Sequence, residues 1–471
     1  MESKIHIAVA CHKPSRIPAN PLLVPVQVGS ALAKQRMDMQ HDDEGQNISE
    51  KNPSYCELTA QYWEWKNVKA DYYGLCHYRR FLCMHKTEAE LNERSQIEVG
   101  EIDDYNIRRF GLEDEEEMRR VIEDCDLVVG EHQQLDRIPT PRGNKASGYD
   151  HWAAHDKALI RVQDLEKMLE LLEEVSPRIG ASARKYLQEK TFMGFNCFVM
   201  KKELFDEMCE IEFETLKRLE QEVDLTYYCQ QLSRIYGFMG EIISSAYFYD
   251  LEKSGKYRVK HVPLLYFNYT DSTQVMDPIN KHVPVFFVED DSPAFLFGTI
   301  WQSFLEHMDK NAYYDVWLIV KDDATDIFKQ SITKMAEANK NVSLRFLDGR
   351  YGRFKISDRL EKKIDYPLMP FLPFLFDKYD EALVFGPDIL FMDSIKDLWK
   401  EKIGENSLIV APYDMHMVGR INDIYLETEY NRVRGLLKNP YEYYKIDVAK
   451  WNFEKYRKEI RYNKFRRCVK K

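Results

Sequence analysis

A chain of 471 residues exceeds one ordinary hydrophobic core, so two domains are expected. Its composition is globular, 44% hydrophobic, 31% charged and 13% aromatic, and a net charge of −11 argues against a nucleic-acid binder driven by bulk charge. Nine scattered cysteines without a Cys-x-x-Cys pair point to reduced thiols in a cytosol, and no stretch approaches a membrane-spanning length of apolar residues or a signal peptide.

Lys4 to Cys11 reads as a first strand and is followed by His12-Lys13-Pro14. A strand that opens the chain and ends in polar residues is a common start for a nucleotide-binding α/β domain. Pro21 to Val28 is apolar but Pro-interrupted, and reads as a loop or an edge strand. His41-Asp42-Asp43-Glu44 is an acidic loop, either solvated or metal-binding. Asn47 to Pro53 carries turn chemistry. Ser54 is placed to cap a helix over Tyr55–Asn67, with Glu57 as the reciprocal partner of a capping box. The apolar run Tyr72–Cys76 reads as a buried strand, and His77-Tyr78-Arg79-Arg80 sits at its exit. A cationic cluster at the end of a buried strand is where an α/β protein tends to hold an anion.

Further on, Glu113–Cys125 reads as a helix and Asp126–Gly130 as a strand. Gln133–Asp150, with Pro139, Pro141, Gly143 and Gly148, reads as a loop able to close over a substrate. Leu159–Val175 is a periodic helix, Asn196–Met200 a strand and Lys202–Glu222 a long helix. Glu241 follows Gly237 and Gly240 at the start of an apolar helix Ile242–Leu251. There it serves either as a helix N-terminal charge or as a general base in a cleft. Strands follow near Arg258–His261 and Leu264–Phe267, and Tyr269–Asn280 reads as a linker.

The chain then restarts. Val283–Val288, Asp315–Val320, Val342–Phe346, Ala382–Phe385, Ile389–Met392 and Leu408–Ala411 read as strands. Ala294–His307, Asp326–Ala338 and Leu368–Leu375 read as helices, which makes a second α/β layer structure. The end, Trp451–Lys471, interleaves basic residues with Trp451, Phe453, Tyr456, Ile460 and Phe465. It fits either an amphipathic helix on the inner leaflet of an anionic membrane or a solvated terminal helix.

The stretch GQNISEKNPSYCELTAQYWEWKN…ADYYGLCHYRRF resembles the domain-of-unknown-function 4422 family, bacterial galactofuranosyltransferases (glycosyltransferase family 111) of surface-polysaccharide assembly. The opening strand with His12-Lys13, the segment NCFVMKKELF and Gly237–Glu241 also match, and the likeness covers roughly residues 4–272. The second half resembles glycosyltransferase family 8 in VPVFFVEDDSPAFLFGTIWQSFLEH and in YDEALVFGPDILFMDSIKDLW.

The resemblance implies two Rossmann-like, glycosyltransferase A-type domains in tandem. These are a galactofuranosyltransferase-like catalytic domain (1–272) and a family 8-like domain (281–450), followed by a basic tail (451–471). Family 8 holds Mn²⁺ or Mg²⁺ with Asp-x-Asp, because hard cations need oxygen ligands. This chain has Gly386-Pro387-Asp388, with Lys445-Ile446-Asp447 in place of Asn-x-Gly, so Asp388 is a vestigial ligand and the domain is expected to be inactive. Acceptor binding, membrane placement or homo-oligomerisation are its remaining jobs.

The implied reaction is inverting transfer of galactofuranose from UDP-galactofuranose to a hydroxyl of a lipid-linked glycan, in capsule, exopolysaccharide or O-antigen assembly, by a cytoplasmic or peripheral membrane enzyme. Glu241 is the candidate base and Glu57 the second; His77, Arg79 and Arg80 face the diphosphate, with or without a metal. His12 and Lys13 line the uridine or diphosphate pocket; Asn47, Glu50 and Asn52 position sugar hydroxyls. Another transferred hexose, an active second domain, and a non-catalytic glycan-binding subunit are the alternatives.

Overall fold

The computed structural model describes residues 3–92, 94–270, 282–288, 294–320, 325–348, 372–386, 389–391, 394–400, 402, 409–410 and 448–459. The chain divides into two compact units, Met1–Ser272 and Thr273–Lys471. Both are mixed α/β with largely parallel, Rossmann-like sheets.

The strands of the first unit are β1 (Ile5–Cys11), β2 (Leu23–Gln27), β3 (Gln40–His41), β4 (Tyr72–His77), β5 (Arg80–Leu82), β6 (Gln96–Glu101), β7 (Leu127–Gly130), β8 (Gln133–Gln134), β9 (Thr191–Phe192), β10 (Phe198–Lys201), β11 (Val259–Val262) and β12 (Leu264–Tyr269). Its helices are α1 (Asn52–Tyr55), α2 (Leu58–Asn67), α3 (Asp104–Arg109), α4 (Glu115–Glu123), α5 (Gly148–Ala154), α6 (Val162–Val175), α7 (Pro177–Tyr186), α8 (Lys202–Glu222) and α9 (Ile235–Ser254).

The main sheet runs β11-β7-β10-β4-β1-β2-β3, with β5, β12 and β6 continuing from β4. β1 pairs in parallel with both β2 and β4, and β10 inserts antiparallel between β4 and β7. Alternate residues feed two cores. Tyr73 and Leu75 of β4 join Ala8 and Ala10 of β1 under the helical layer built from α6 to α9. Tyr72 and Cys76 join Ile7 and Val9 on the other face, against Ile107 and Met118 of α3 and α4. A sheet buried on both faces explains why β1 and β4 read as continuous apolar runs.

Several expectations change. The helix expected over Tyr55–Asn67 is broken at Cys56, whose backbone sits at φ 52°. Ser54 does not cap it: its hydroxyl donates to the Lys51 carbonyl, and Glu57 makes no cap. Asp42 is neither solvated nor placed for a metal. It is fully buried and accepts from Gly29 N–H, Ser30 N–H and the hydroxyls of Ser49 and Thr59. The Pro25-containing segment is a true strand, β2, inside the sheet. α9 starts at Ile235, so Gly237 and Gly240 lie within it and Glu241 is in its second turn rather than at its N-terminus.

In the second unit the sheet order is β15-β14-β13-β16-β18-β17, from β13 (His282–Val288), β14 (Tyr313–Val320), β15 (Val342–Asp348), β16 (Glu381–Phe385), β17 (Ile409–Val410) and β18 (Val448–Asn452). β13 to β16 pair in parallel, and β18 runs antiparallel to β16 and β17. The expected tail therefore begins as core. Trp451, Phe453 and Tyr456 are buried, so these aromatics do not form a membrane-facing stripe. The described residues 389–391 are not a strand. Asp388, the linker residues after Thr270, Lys445–Asp447 and residues 460–471 lie outside the described residues.

Gly240 has no room for a side chain: a Cβ there would lie 2.4 Å from Leu58 Cδ1 and 2.6 Å from Glu212 Oε1. Gly240→Ala is expected to destabilise the first unit by about 1–3 kcal/mol. Gly298→Ala, in the helix Ala294–His307 with open space around it, should gain roughly 0.5–1 kcal/mol. Urea unfolding midpoints of the two variants check both signs.

Candidate active site

A cavity of about 730 Å³ opens at the carboxyl ends of β1 and β4. Chain order places β2 on one side of β1 and β4 on the other, so β1 and β4 flank the point where the winding reverses. That crevice is where open α/β sheets hold their ligands. Ala10 and His12 reach it from β1, Val28 from the end of β2, and His77 to Arg80 from the turn between β4 and β5. Trp152 of α5, Phe192 and Phe238 of α9 form its apolar side.

Two carboxylates enter this cavity. The break at Cys56 turns the chain so that Glu57 points inward instead of capping α2. Glu57 Oε1 accepts from Asn196 Nδ2 at 2.8 Å and lies 3.6 Å from His77 Nε2. Glu241 approaches from α9, and its Oε1 comes so near Gly194 that a Cβ there would sit 2.9 Å away. Burial, and then the charge of Glu57, push the Glu241 carboxyl up to about 7, although the Phe195 N–H, Arg80 and Arg234 favour its ionised form. Phe195 and Asn196 both have positive φ, 76° and 45°. With Cys56, three of the five non-glycine residues of positive φ among the described residues lie at this site. Such conformations cost on the order of 1–3 kcal/mol each and cluster at functional sites.

Four arginines also line the cavity: Arg79, Arg80, Arg94 and Arg234. The Arg80 guanidinium lies over the rings of Phe195 (4.5 Å) and Tyr266 (4.9 Å), and its Nε is buried with no hydrogen-bond partner. Arg234 donates to Cys56 Sγ at 3.2 Å. Burial, then Arg80 and Arg79 against the opposing pull of Glu57, brings His77 down to about 4, so it is neutral near pH 7. Burial, then Lys13, Arg79 and Arg234, lowers His12. His151 is also lowered to about 4, by burial and then by His155 and Arg94. Nε2 of His77, Nδ1 of His151 and Nε1 of Trp152 are buried without partners. Buried polar atoms lacking partners around a cavity mark where a ligand supplies them.

Of the residues picked from sequence, Glu57, Glu241, His12, His77, Arg79, Arg80 and Asn52 line the cavity. Asn52 is turned partly to scaffold, donating to the Cys56 carbonyl at 2.7 Å. Lys13 lies 5.5 Å from the Tyr78 ring, beside the lining rather than in it. Asn47 and Glu50 do not reach the cavity. Asn47 closes a turn onto the Asp43 and Gly45 carbonyls, and Glu50 is exposed in a 3-10 turn. Arg94, Arg234, His151, Trp152 and Asn196 were not foreseen. The His151-x-x-x-His155 spacing, one helical turn, and the place of Asn196 at the head of NCFVMKKELF carried a sign of them.

Residues 6–253 match the family described as a domain of unknown function, DUF4422. No curated protein matches the chain. Among solved structures, the WbbM bifunctional glycosyltransferase in its apo form is similar at 26% identity and a TM-score of 0.53, covering 99% of this chain and 82% of WbbM. The galactosyltransferase LgtC, solved with donor and acceptor sugar analogues, is 19% identical with a TM-score of 0.26, covering 37% of this chain and 59% of LgtC. GlyE of Streptococcus pneumoniae TIGR4 is 17% identical with a TM-score of 0.24, covering 38% of this chain and 36% of GlyE. The family match spans more than half of the sequence, and the chain belongs to the DUF4422 family.

Proposed function

We propose that the first unit transfers galactofuranose from UDP-galactofuranose to a hydroxyl of a lipid-linked glycan, with inversion, in the assembly of a bacterial surface polysaccharide. That the chain is a glycosyltransferase follows from its likeness to WbbM along almost its whole length. The observation that carries the finer reading is the pairing of two inward carboxylates, Glu57 and Glu241, with the cavity-lining arginines.

A single displacement needs a base for the acceptor proton and a partner for the leaving diphosphate. Glu241, held near 7, takes the proton as the acceptor oxygen bonds to the anomeric carbon. The bond from that carbon to the diphosphate oxygen breaks, and UDP leaves with the electron pair. Arg79 and Arg80, with Arg234 across the cavity, receive the growing negative charge through paired N–H donors. His77 stays neutral beside them and hydrogen-bonds without adding charge. Glu57, fixed by Asn196, raises the proton affinity of Glu241 and is placed to orient a sugar hydroxyl. Carboxylate oxygens are the ligands that Mn²⁺ or Mg²⁺ prefers, and EDTA tests whether the reaction depends on such an ion. No helix among the described residues is long and apolar enough to cross a membrane.

A second reading is that the other unit also transfers a sugar. Likeness to WbbM continues past residue 253, where the family match stops.

With UDP-galactofuranose and a synthetic lipid-linked acceptor, Glu241→Gln should lose about 10²–10⁴ of the rate of UDP release. Asp388→Asn should leave the rate unchanged; its loss, or addition of a second sugar from UDP-galactopyranose, would favour the second reading. Arg80→Ala should raise KM for the donor and lower kcat, and EDTA should leave wild type active. Activity abolished by EDTA and retained by Arg80→Ala would sink the arginine role.

The raised carboxyl has two pH consequences. The base is useful only when ionised, so kcat/KM should rise as pH passes through about 7. Folding meanwhile favours the protonated form, so wild type loses stability as pH rises from about 4.5 through 7. Glu241→Gln escapes that penalty. It should be more stable than wild type at pH 8, by up to about 3 kcal/mol, and no different below pH 4.5. Urea titrations at the two pH values check this.

A further inference from the structure

Outside the cavity, His132, Glu252 and His261 meet on three separate elements. His132 follows β7, His261 is on β11 and Glu252 is in the last turn of α9. Their ligand atoms all lie within 4.8 Å of one another. His132 Nε2 is 3.4 Å from Glu252 Oε1, and His261 Nε2 is 3.5 Å from the same oxygen. Ligands about 2.0–2.1 Å from a tetrahedral zinc ion are separated by about 3.3–3.4 Å, so both spacings match a shared metal.

A second observation comes from behind the ligands. His261 Nδ1 lies 3.1 Å from the Gly130 carbonyl, which can only accept, so Nδ1 carries the hydrogen. In the neutral ring Nε2 is then a bare lone pair, aimed at a carboxylate oxygen and buried without a hydrogen-bond partner. Two lone pairs in that position repel, and a cation between them removes the repulsion. A histidine that ligates a metal generally donates its other N–H to a carbonyl or carboxylate in this way. The two ring centroids lie 4.5 Å apart.

We propose that His132, Glu252 and His261 bind one divalent transition-metal ion of the zinc class, through two imidazole nitrogens and a carboxylate. Two nitrogens and one oxygen suit Zn²⁺ rather than Mg²⁺ or Ca²⁺, which prefer all-oxygen sites. The site is separate from the transfer chemistry: Glu252 lies about 16 Å further along α9 than Glu241. Its role is positional. His132 directly precedes Gln133, which lines the cavity, and the His132 carbonyl accepts from Ser95, next to the cavity residue Arg94. A metal here ties both segments to the helix that carries Glu241.

The test uses the untagged full-length chain, stripped with a chelator and dialysed. Zn²⁺ is titrated by calorimetry, and Co²⁺ by its visible absorption, into wild type, His261→Ala and His132→Ala. Wild type should bind one more equivalent than either variant, show cobalt bands that both lack, and gain a few degrees in the unfolding temperature of its first unit with Zn²⁺. Equal binding by all three proteins, or none by wild type, overturns the proposal. Should an alanine variant fail to fold by circular dichroism, Glu252→Gln decides. It keeps the side chain's size and should bind at least tenfold more weakly, and wild-type affinity in that variant equally overturns the site.

Discussion

The first unit depends on holding two carboxylates in one poorly solvated crevice. Left alone, Glu57 and Glu241 would repel, and burial would neutralise at least one. The segment Gly194-Phe195-Asn196 prevents collapse of the pair. The Phe195 N–H favours the ionised form of Glu241 and the Asn196 side-chain amide donates to Glu57, so one short segment acts on both. Both residues hold positive φ there. That conformation is stabilised from outside: β10 follows at once, antiparallel between β4 and β7, and its Phe198, Val199 and Met200 are buried.

The arginines are the counterpart of that arrangement. They do not quench the carboxylates, because burial remains the largest influence on Glu241. They leave the crevice with more positive than negative groups, which suits a donor that carries its charge on a diphosphate. Arg80 is itself desolvated, held over two aromatic faces, and its Nε has no partner. A buried guanidinium in that state is set to donate to phosphate oxygens with little reorganisation.

Much of this was legible in the sequence because it rests on local pattern. The apolar runs that became β1 and β4, and the polar residues at their exits, needed only the rule that a short continuous apolar run is a strand buried on both faces. Asn47 and Glu50 misled because they share a conspicuous stretch with Asn52, yet proximity in sequence put them in a turn facing away. Arg234 and Trp152 were illegible for the opposite reason. They reach the cavity through long-range packing, and nothing near them in sequence records it. Cys56 shows the limit most sharply. Ser54 and Glu57 have the spacing of a capping box, but tertiary contacts to α9 and Arg234 outweigh a cap worth about 1 kcal/mol.

The glycines of α9 connect that break to the chemistry. A Cβ at Gly237 would lie 3.0 Å from Cys56 Sγ, and one at Gly240 would overlap Leu58. Two glycines in a helix interior cost roughly 0.5–1 kcal/mol each in propensity, so their presence calls for a gain elsewhere. The gain is approach: with hydrogen in place of a methyl at both positions, α9 packs directly on the α1–α2 break. Glu241 follows Gly240 immediately, so the same close packing carries its carboxyl into the crevice opposite Glu57. The Gly-x-x-Gly-Glu motif is therefore neither a helix start nor a loop. It is a packing groove followed by the group that the groove positions, and the break at Cys56 is the surface that fits it.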